Sequence, residues 1–341
     1  MNELEIKIKL SHIAGLKPIV LTELKQLNFQ ILDETDESVF VPFSDDFFKK
    51  IKHLRSVARV YAVLQGDKYH PAWLSKHKSV LGNLVDIVVG SDKKSFKSFR
   101  INCAGSDSSE VKSIAKYVQE TYGLEEKEEA DLKIHIVKPG DIWEIGIQIT
   151  PRPLSVRDYK IINMSGAMDP TIAYAVNSFC NLDRASSYLN VFSGSSTLLI
   201  EAGQSFPNLE KLIGFDNDKK HLSLSIQNIK KAGLIKRVEV KEADIFDKPD
   251  FGKFDAIVSD LPFGMLISKN EDLEKLYKTF VEYCEEKLEQ TGRLVIYTSE
   301  YELIESILLK SRFKIIQSLQ LKLITNADVY LRPKIIVCEF K

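Results

Sequence analysis

Phe254-Asp255-Ala256-Ile257-Val258-Ser259-Asp260-Leu261-Pro262-Phe263-Gly264 is a short apolar run that stops abruptly. Ala256-Ile257-Val258 reads as a buried strand. Proline removes a ladder donor and glycine permits unusual dihedrals, so the strand must end at Asp260 and the chain must turn. A carboxylate, an aromatic ring and an open turn therefore stand together at the carboxyl end of a strand. In open α/β sheets that edge is where ligands bind.

The chemistry open to such a cluster follows from its atoms. An exocyclic amine on a nucleobase is a poor nucleophile, because its lone pair is delocalised into the ring. Two acceptors on its N–H groups orient it and stabilise the positive charge that grows as it attacks. Asp260 can supply one acceptor and the main-chain carbonyl of Leu261 the other. Phe263 offers a flat face on which a base stacks. The same residues also read as a strand closed by an ordinary Asp-x-Pro turn, so the neighbouring units have to decide.

Those units carry a matching set. Asn190-Val191-Phe192-Ser193-Gly194-Ser195-Ser196-Thr197 follows one predicted strand and precedes a helix over Leu198–Gly203. A turn of small residues lets a ligand approach the backbone and the helix N-terminus. The next strand ends Gly214-Phe215-Asp216-Asn217-Asp218. An acid there is placed to accept both ribose hydroxyls of a nucleoside. Asp216 is the better candidate, because Asp218 can equally cap the following helix. The third strand ends Ala243-Asp244-Ile245-Phe246, where Asp244 could receive the amine of an adenine. Each acid singly reads as a cap or a loop residue. Three acids and a small-residue turn in successive βα units point to a nucleoside-containing cofactor beside Asp260.

From Asp169 onward the rhythm is strand, loop, helix. Strands are predicted near Tyr188–Phe192, Lys211–Asp216, Val238–Ala243, Ala256–Asp260, Arg293–Thr298, Phe313–Leu321 and Lys334–Phe340. Two strands in succession at the end imply a mostly parallel sheet with an antiparallel strand at its edge. Residues 1–60 read β-α-β-β-α, with strands at Leu4–Leu10, Phe29–Leu32 and Ser38–Phe43. Helices are expected over Ala14–Leu27 and from a Ser44 cap to Leu54. This is the pattern of a small α+β sandwich of ferredoxin-like type. Residues 61–150 form a further α+β unit, opening on the rest of a strand over Val57–Leu64. A helical stretch carries Trp73 and Leu81–Val89, and a strand runs over Phe96–Cys103. A helix capped by Ser108 or Ser109 is closed by Gly123, and a hairpin turns at Pro139-Gly140-Asp141. Residues 151–168, with two prolines and three basic residues, read as a connector.

Composition bounds the class. A chain of 341 residues, 44% hydrophobic, holds two or three packed domains. Its four cysteines form no Cys-x-x-Cys pair and its six histidines no ligand spacing. That predicts free thiols in a reducing cytosol, hence a cytoplasmic protein, and no metal. No apolar run is long enough for a membrane span, and Leu4–Leu10 alternates as a strand rather than as a signal peptide. The net charge is −1, so nucleic acid would have to be met by a local basic patch, offset by acidic stretches such as Glu125–Asp131.

Asn190–Gly203, Gly214–Gly233, Glu242–Phe246 and Ser259–Gly264 together resemble the catalytic half of the THUMP-containing RNA guanine-N2 methyltransferases, in order and spacing, across residues 169–341. Residues 96–160, closing on Pro153-Leu154-Ser155-x-Arg157-Asp158-Tyr159, resemble the THUMP domain, and residues 1–60 the ferredoxin-like domain before it. The resemblance implies an α/β fold: a Rossmann-like class I methyltransferase domain preceded by α+β ferredoxin-like and THUMP domains. It implies S-adenosylmethionine as donor and the 2-amino group of a guanosine as acceptor. The Asp-Leu form of the motif is more similar to the tRNA-modifying members, which implies the acceptor stem of tRNA, near position 6.

By the same likeness Asp260, Leu261, Pro262 and Phe263 are the catalytic tetrad. Thr171, Phe192, Ser193, Gly194, Ser196, Asp216, Asn217, Asp244 and Ile245, with Asp260, hold the cofactor. Lys97, Arg100 and Lys112, with Arg152 and Arg157 on the connector, are the expected RNA contacts, and a monomer is slightly favoured. Three positions depart from the family pattern: Asn190 replaces an aspartate, Ser196 a glycine and Asp158 a glycine. The alternatives are an RNA-binding protein of this fold with impaired catalysis, and the same reaction on ribosomal RNA.

Overall fold

The computed structural model describes residues 6–44, 46–91, 96–105, 107–162, 166–262, 270–326 and 329–341. The chain divides into two compact units. One comprises Met1–His12 and Val20–Ser155, the other Ile13–Ile19 and Val156–Lys341.

The first unit is built on one sheet. Its strands are β1 (Lys7–Ser11), β2 (Asp33–Glu34), β3 (Ser38–Pro42), β4 (Arg59–Gln65), β5 (Ser98–Cys103), β6 (Glu125–Glu126), β7 (Leu132–Val137) and β8 (Glu144–Gln148). They lie in the order β2-β3-β1-β4-β8-β7-β5-β6, so strands on either side of residue 60 share one ladder. Alternation decides the faces. Ile8 and Leu10, Ala62 and Leu64, Ile134 and Ile136, Ile145 and Ile147 turn into one core. That core is closed by α1 (Lys17–Gln26), α2 (Phe47–Lys50), α3 (Lys78–Ser91) and α4 (Ser109–Tyr122). Ser108 is the α4 cap, accepting from the Val111 N–H, and Gly123 ends the helix at φ +66°.

Two expectations shift here for local reasons. The strand placed at Phe29–Leu32 pairs only at Asp33–Glu34. Asn28 sits at φ +55°, and the Phe29 and Asn28 N–H groups donate to the Leu24 and Lys25 carbonyls. Those residues are therefore used in closing α1. Ser44 is not the α2 cap; Asp46 holds that place without a side-chain hydrogen bond, and the helix tightens into a 3-10 turn at Ile51–His53.

The second unit carries a seven-stranded sheet. Its strands are β9 (Ser187–Val191), β10 (Lys211–Asp216), β11 (Val238–Glu242), β12 (Phe254–Asp260), β13 (Leu288–Thr298), β14 (Phe313–Gln320) and, after the small pair β15 (Leu323–Asn326) and β16 (Val329–Leu331), β17 (Lys334–Phe340). The order is β11-β10-β9-β12-β13-β17-β14. The first five are parallel, and β17 is antiparallel to both its neighbours. The antiparallel strand thus lies one place in from the edge rather than at it. The two sequences explain why: Lys334–Phe340 is buried along most of its length, whereas Phe313–Gln320 is mostly exposed and suits an edge.

Helices cover both faces. On one face, Tyr188, Ala256, Val258 and Val295 pack with α5 (Pro170–Ser178), α6 (Thr197–Ser205) and α7 (Lys219–Lys231). On the other, Leu189, Val191, Ile257 and Ile296 pack with α8 (Asn270–Lys287) and α9 (Tyr301–Leu309). Ile13–Ile19 belongs to this unit although it opens the chain: Leu16 and Ile19 are buried in its core, and the Lys322 N–H donates to the Ala14 carbonyl. Among the described residues no helix is long and apolar enough to cross a membrane.

Candidate active site

β9 and β12 lie side by side and parallel, so their carboxyl ends deliver two loops to one edge, with β10 beyond β9. The loop after β9 is bent by three left-handed residues, Phe192 (φ +56°), Gly194 (φ +45°) and Ser196 (φ +58°). A Cβ placed on Gly194 would meet nothing within 4 Å, so the turn is open above that residue. The end of β10 holds the turn in place. The Ser193 N–H donates to the Phe215 carbonyl and the Gly194 N–H to Asp216 Oδ2 at 2.9 Å. Asp216 Oδ1 accepts from the Asp218 N–H at 3.0 Å, and each carboxylate oxygen keeps a second lone pair.

Asp244 caps a short 3-10 turn through the Phe246 N–H, and its other oxygen meets Asn217 Nδ2 at 3.4 Å. Asp216, Asn217 and Asp244 thus stand on consecutive loops of one edge. Ile245 is buried in the core, as is the Leu261 side chain. Leu261 as a whole is fully buried, and its N–H donates to the Tyr297 carbonyl. Thr171 is fully buried, and its N–H and hydroxyl both donate to the Asp169 cap of α5. Phe192 packs its ring 6.0 Å from Phe280. Phe263 lies outside the described residues.

Four buried polar atoms at this edge have no hydrogen-bond partner among the described residues: Asn190 Oδ1, Ser193 Oγ, Ser196 Oγ and Asp260 Oδ1. Buried polar groups are normally paired, and four orphans where two adjacent strands end suit a polar ligand. Burial pushes the Asp260 carboxyl up to about 7. Asn190 explains its own departure from aspartate. Its Nδ2 donates to the Val191 and Val258 carbonyls at 3.2 and 3.1 Å, bridging β9 to β12, which a carboxylate could not do.

The expected RNA contacts divide. Arg100 and Lys112 line one groove of about 770 Å³ in the first unit, with Lys127, Asp107 and Glu128. Lys97 and Arg152 are exposed. Arg157 corrects the expectation. Its side chain is only 9% exposed, and its Nε donates to the fully buried Glu201 at 3.1 Å, beside the Tyr159 hydroxyl on the same carboxylate. A guanidinium held there is a structural tie, not a free phosphate contact.

A parallel sheet of this order, with acids at successive strand ends and orphan polar atoms beside an Asp-Leu-Pro turn, defines a class I methyltransferase domain. The family model described as UPF0020, RMKL-like, methyltransferase domain matches residues 157–325, so this stretch of the chain is similar to that family. The U6 snRNA (guanine-N(2))-methyltransferase THUMPD2 of Mus musculus is 30% identical over 157 residues, 46% of this chain and 28% of that protein. A tRNA (guanine(6)-N2)-methyltransferase of Thermus thermophilus is 26% identical over 178 residues, 52% of each chain. The chain thus spans about half or less of the length of these curated relatives. Among solved structures, TrmN from Thermus thermophilus matches with a TM-score of 0.77 at 21% identity, over 98% of this chain and 100% of that one. SMU.472, solved in complex with SAH, matches at 0.74 and 16%, over 99% of both. At these identities the two structures establish the fold.

Proposed function

We propose that this chain transfers a methyl group from S-adenosylmethionine to the 2-amino group of a guanosine in tRNA, in the acceptor stem near position 6. The observation that carries the reading is the cluster of orphan polar atoms around Asp260. The residues present fit the cofactor: Asp216 for the ribose hydroxyls, Asp244 for the adenine amine, and the open turn at Ser193–Ser196 for the part between. The cofactor supplies an electrophilic methyl group on a sulfonium. Asp260 Oδ1 and the Leu261 carbonyl each accept one N–H of the guanine amine, which aims its lone pair. As the new N–C bond forms, positive charge grows on that nitrogen, and Asp260 is the base at hand for the proton it sheds.

The first unit serves this reading as the RNA-binding half, with residues 1–60 ferredoxin-like and 61–150 a THUMP domain. A single guanine in a pocket gives too few contacts to select one site on a folded RNA, so a second surface must grip the backbone. Arg100, Lys112 and Lys127 around one groove support that role. Trp73 adds a ring face: it is 51% exposed, with its ring 5.5 Å from His70. The names of the curated relatives support tRNA over ribosomal RNA.

The test is nucleoside analysis of tRNA and ribosomal RNA from a strain lacking the gene. Loss of N2-methylguanosine from tRNA alone is expected; loss confined to ribosomal RNA would overturn the substrate. One observation favours the impaired alternative: Ser196 holds a left-handed backbone, which a residue with a side chain disfavours. Calorimetry separates the two, because an impaired protein fails to bind S-adenosylmethionine.

A further inference from the structure

The Asp260–Pro262 turn is pinned from behind by a tyrosine that the motif does not contain. Tyr277 lies on α8, fully buried, and its hydroxyl donates to the Pro262 carbonyl at 2.8 Å. A carbonyl can only accept, so the direction of that bond is fixed. The Thr298 hydroxyl stands 3.3 Å from the same tyrosine oxygen, and Thr298 Oγ1 accepts the Glu300 N–H at 3.0 Å. With the Tyr277 proton committed to Pro262, the Thr298 hydroxyl must donate to Tyr277. The result is a directed chain, from the Glu300 amide through Thr298 and Tyr277 to Pro262, in which each bond polarises the next.

The consequence falls on Leu261. Its own N–H donates to the Tyr297 carbonyl at 2.9 Å. Pro262 has its φ fixed by the ring, and its carbonyl is fixed by Tyr277. The Leu261 carbonyl lies between these two anchored groups and has little freedom left to turn.

We propose that Tyr277 is a positioning residue for methyl transfer: through the Pro262 carbonyl it sets the direction in which the Leu261 carbonyl meets the acceptor amine. This rests on the methyl-transfer reading above. Tyr277 is fully buried, so its effect is expected in the chemical step and not in cofactor affinity.

The test uses the full chain with Tyr277→Phe, Thr298→Val, Thr298→Ser and the double variant Tyr277→Phe/Thr298→Val. Tyr277→Phe is expected to lower kcat about 10-fold, with the KM for S-adenosylmethionine and the calorimetric affinity for S-adenosylhomocysteine changed less than twofold. Thr298→Ser should restore what Thr298→Val loses, and the double variant should be no slower than Tyr277→Phe, because both act on one chain of bonds. Wild-type kcat in Tyr277→Phe, or a parallel fall in kcat and cofactor affinity, overturns the proposal. Hydrogen exchange gives a readout independent of turnover: the Leu261 amide should exchange about 10-fold faster in Tyr277→Phe while core amides of β9 stay unchanged. If the wild type moves no methyl group, the functional reading fails. An unchanged Leu261 amide in Tyr277→Phe then still overturns the pinning, and a faster one upholds it.

Discussion

In the proposed reaction Asp260 carries the chemistry, and its burial gives that chemistry a pH dependence. Asp260→Ala removes an acceptor that works mainly in the transition state, so turnover should fall by about 10²-fold with cofactor affinity unchanged. A variant with near-full turnover would remove Asp260 from its role. The acceptor must be ionised, and the carboxyl titrates at about 7. In wild type kcat/KM should therefore rise with pH through that value and then level off. The stability effect has the opposite sign. The folded state holds this proton more tightly than the unfolded chain, whose carboxyl titrates near pH ~4. Stability from this group is complete below that pH and is lost as pH rises toward 7. Asp260→Asn should thus raise Tm relative to wild type at pH 8 and lose the advantage near pH 4. Ser196 makes a second residue-scale case. A left-handed backbone and a buried, unpaired hydroxyl both disfavour serine there. Ser196→Gly should stabilise the protein by about 1 kcal/mol in urea melts; a loss of stability would mean the hydroxyl has a partner.

At the level of elements, the connector is tied to α6 by a charge. Arg157 and Tyr159 both reach the Glu201 carboxylate, which is fully buried. Removing one member of a buried pair leaves the other charge uncompensated. Arg157→Ala should therefore cost about 3 kcal/mol in denaturant unfolding. Adding Glu201→Met should return part of that loss, because the stranded carboxylate is then gone. Full stability in Arg157→Ala would show that the pair is solvated. The arrangement also explains why an arginine next to the exposed Val156 is not a surface residue: Tyr159 draws the segment inward.

At the scale of the molecule, the second unit is not a contiguous piece of sequence. Leu16 is fully buried in its core, and Gly15, at φ +99°, passes so near the Gln320 carbonyl that a Cβ there would collide with it. A fragment beginning at residue 156 leaves that part of the core uncovered. In the full chain Leu16→Ala should cost about 2–5 kcal/mol, as for other buried leucines. A fragment of residues 156–341 should melt at lower temperature than the same unit in the whole protein. Equal melting temperatures would mean that Ile13–Ile19 adds nothing.

The sequence by itself determined what is local. Apolar runs that end in small or acidic residues set β9, β10, β11 and β12, and the Pro-Gly stop placed Asp260 at the rim, because chain direction and turn chemistry are short-range properties. Ser108 and Gly123 marked the limits of α4 for the same reason. Only the tertiary structure decided what meets across distance. Tyr277 reaches Pro262 from fifteen residues on, Arg157 finds Glu201 forty-four away, and Leu16 enters a core built mostly from residues after Val156. The place of β17 between β13 and β14 was likewise beyond any local pattern. No periodicity records such pairings; they follow from where packed helices and strands come to rest once both faces of the sheet are covered.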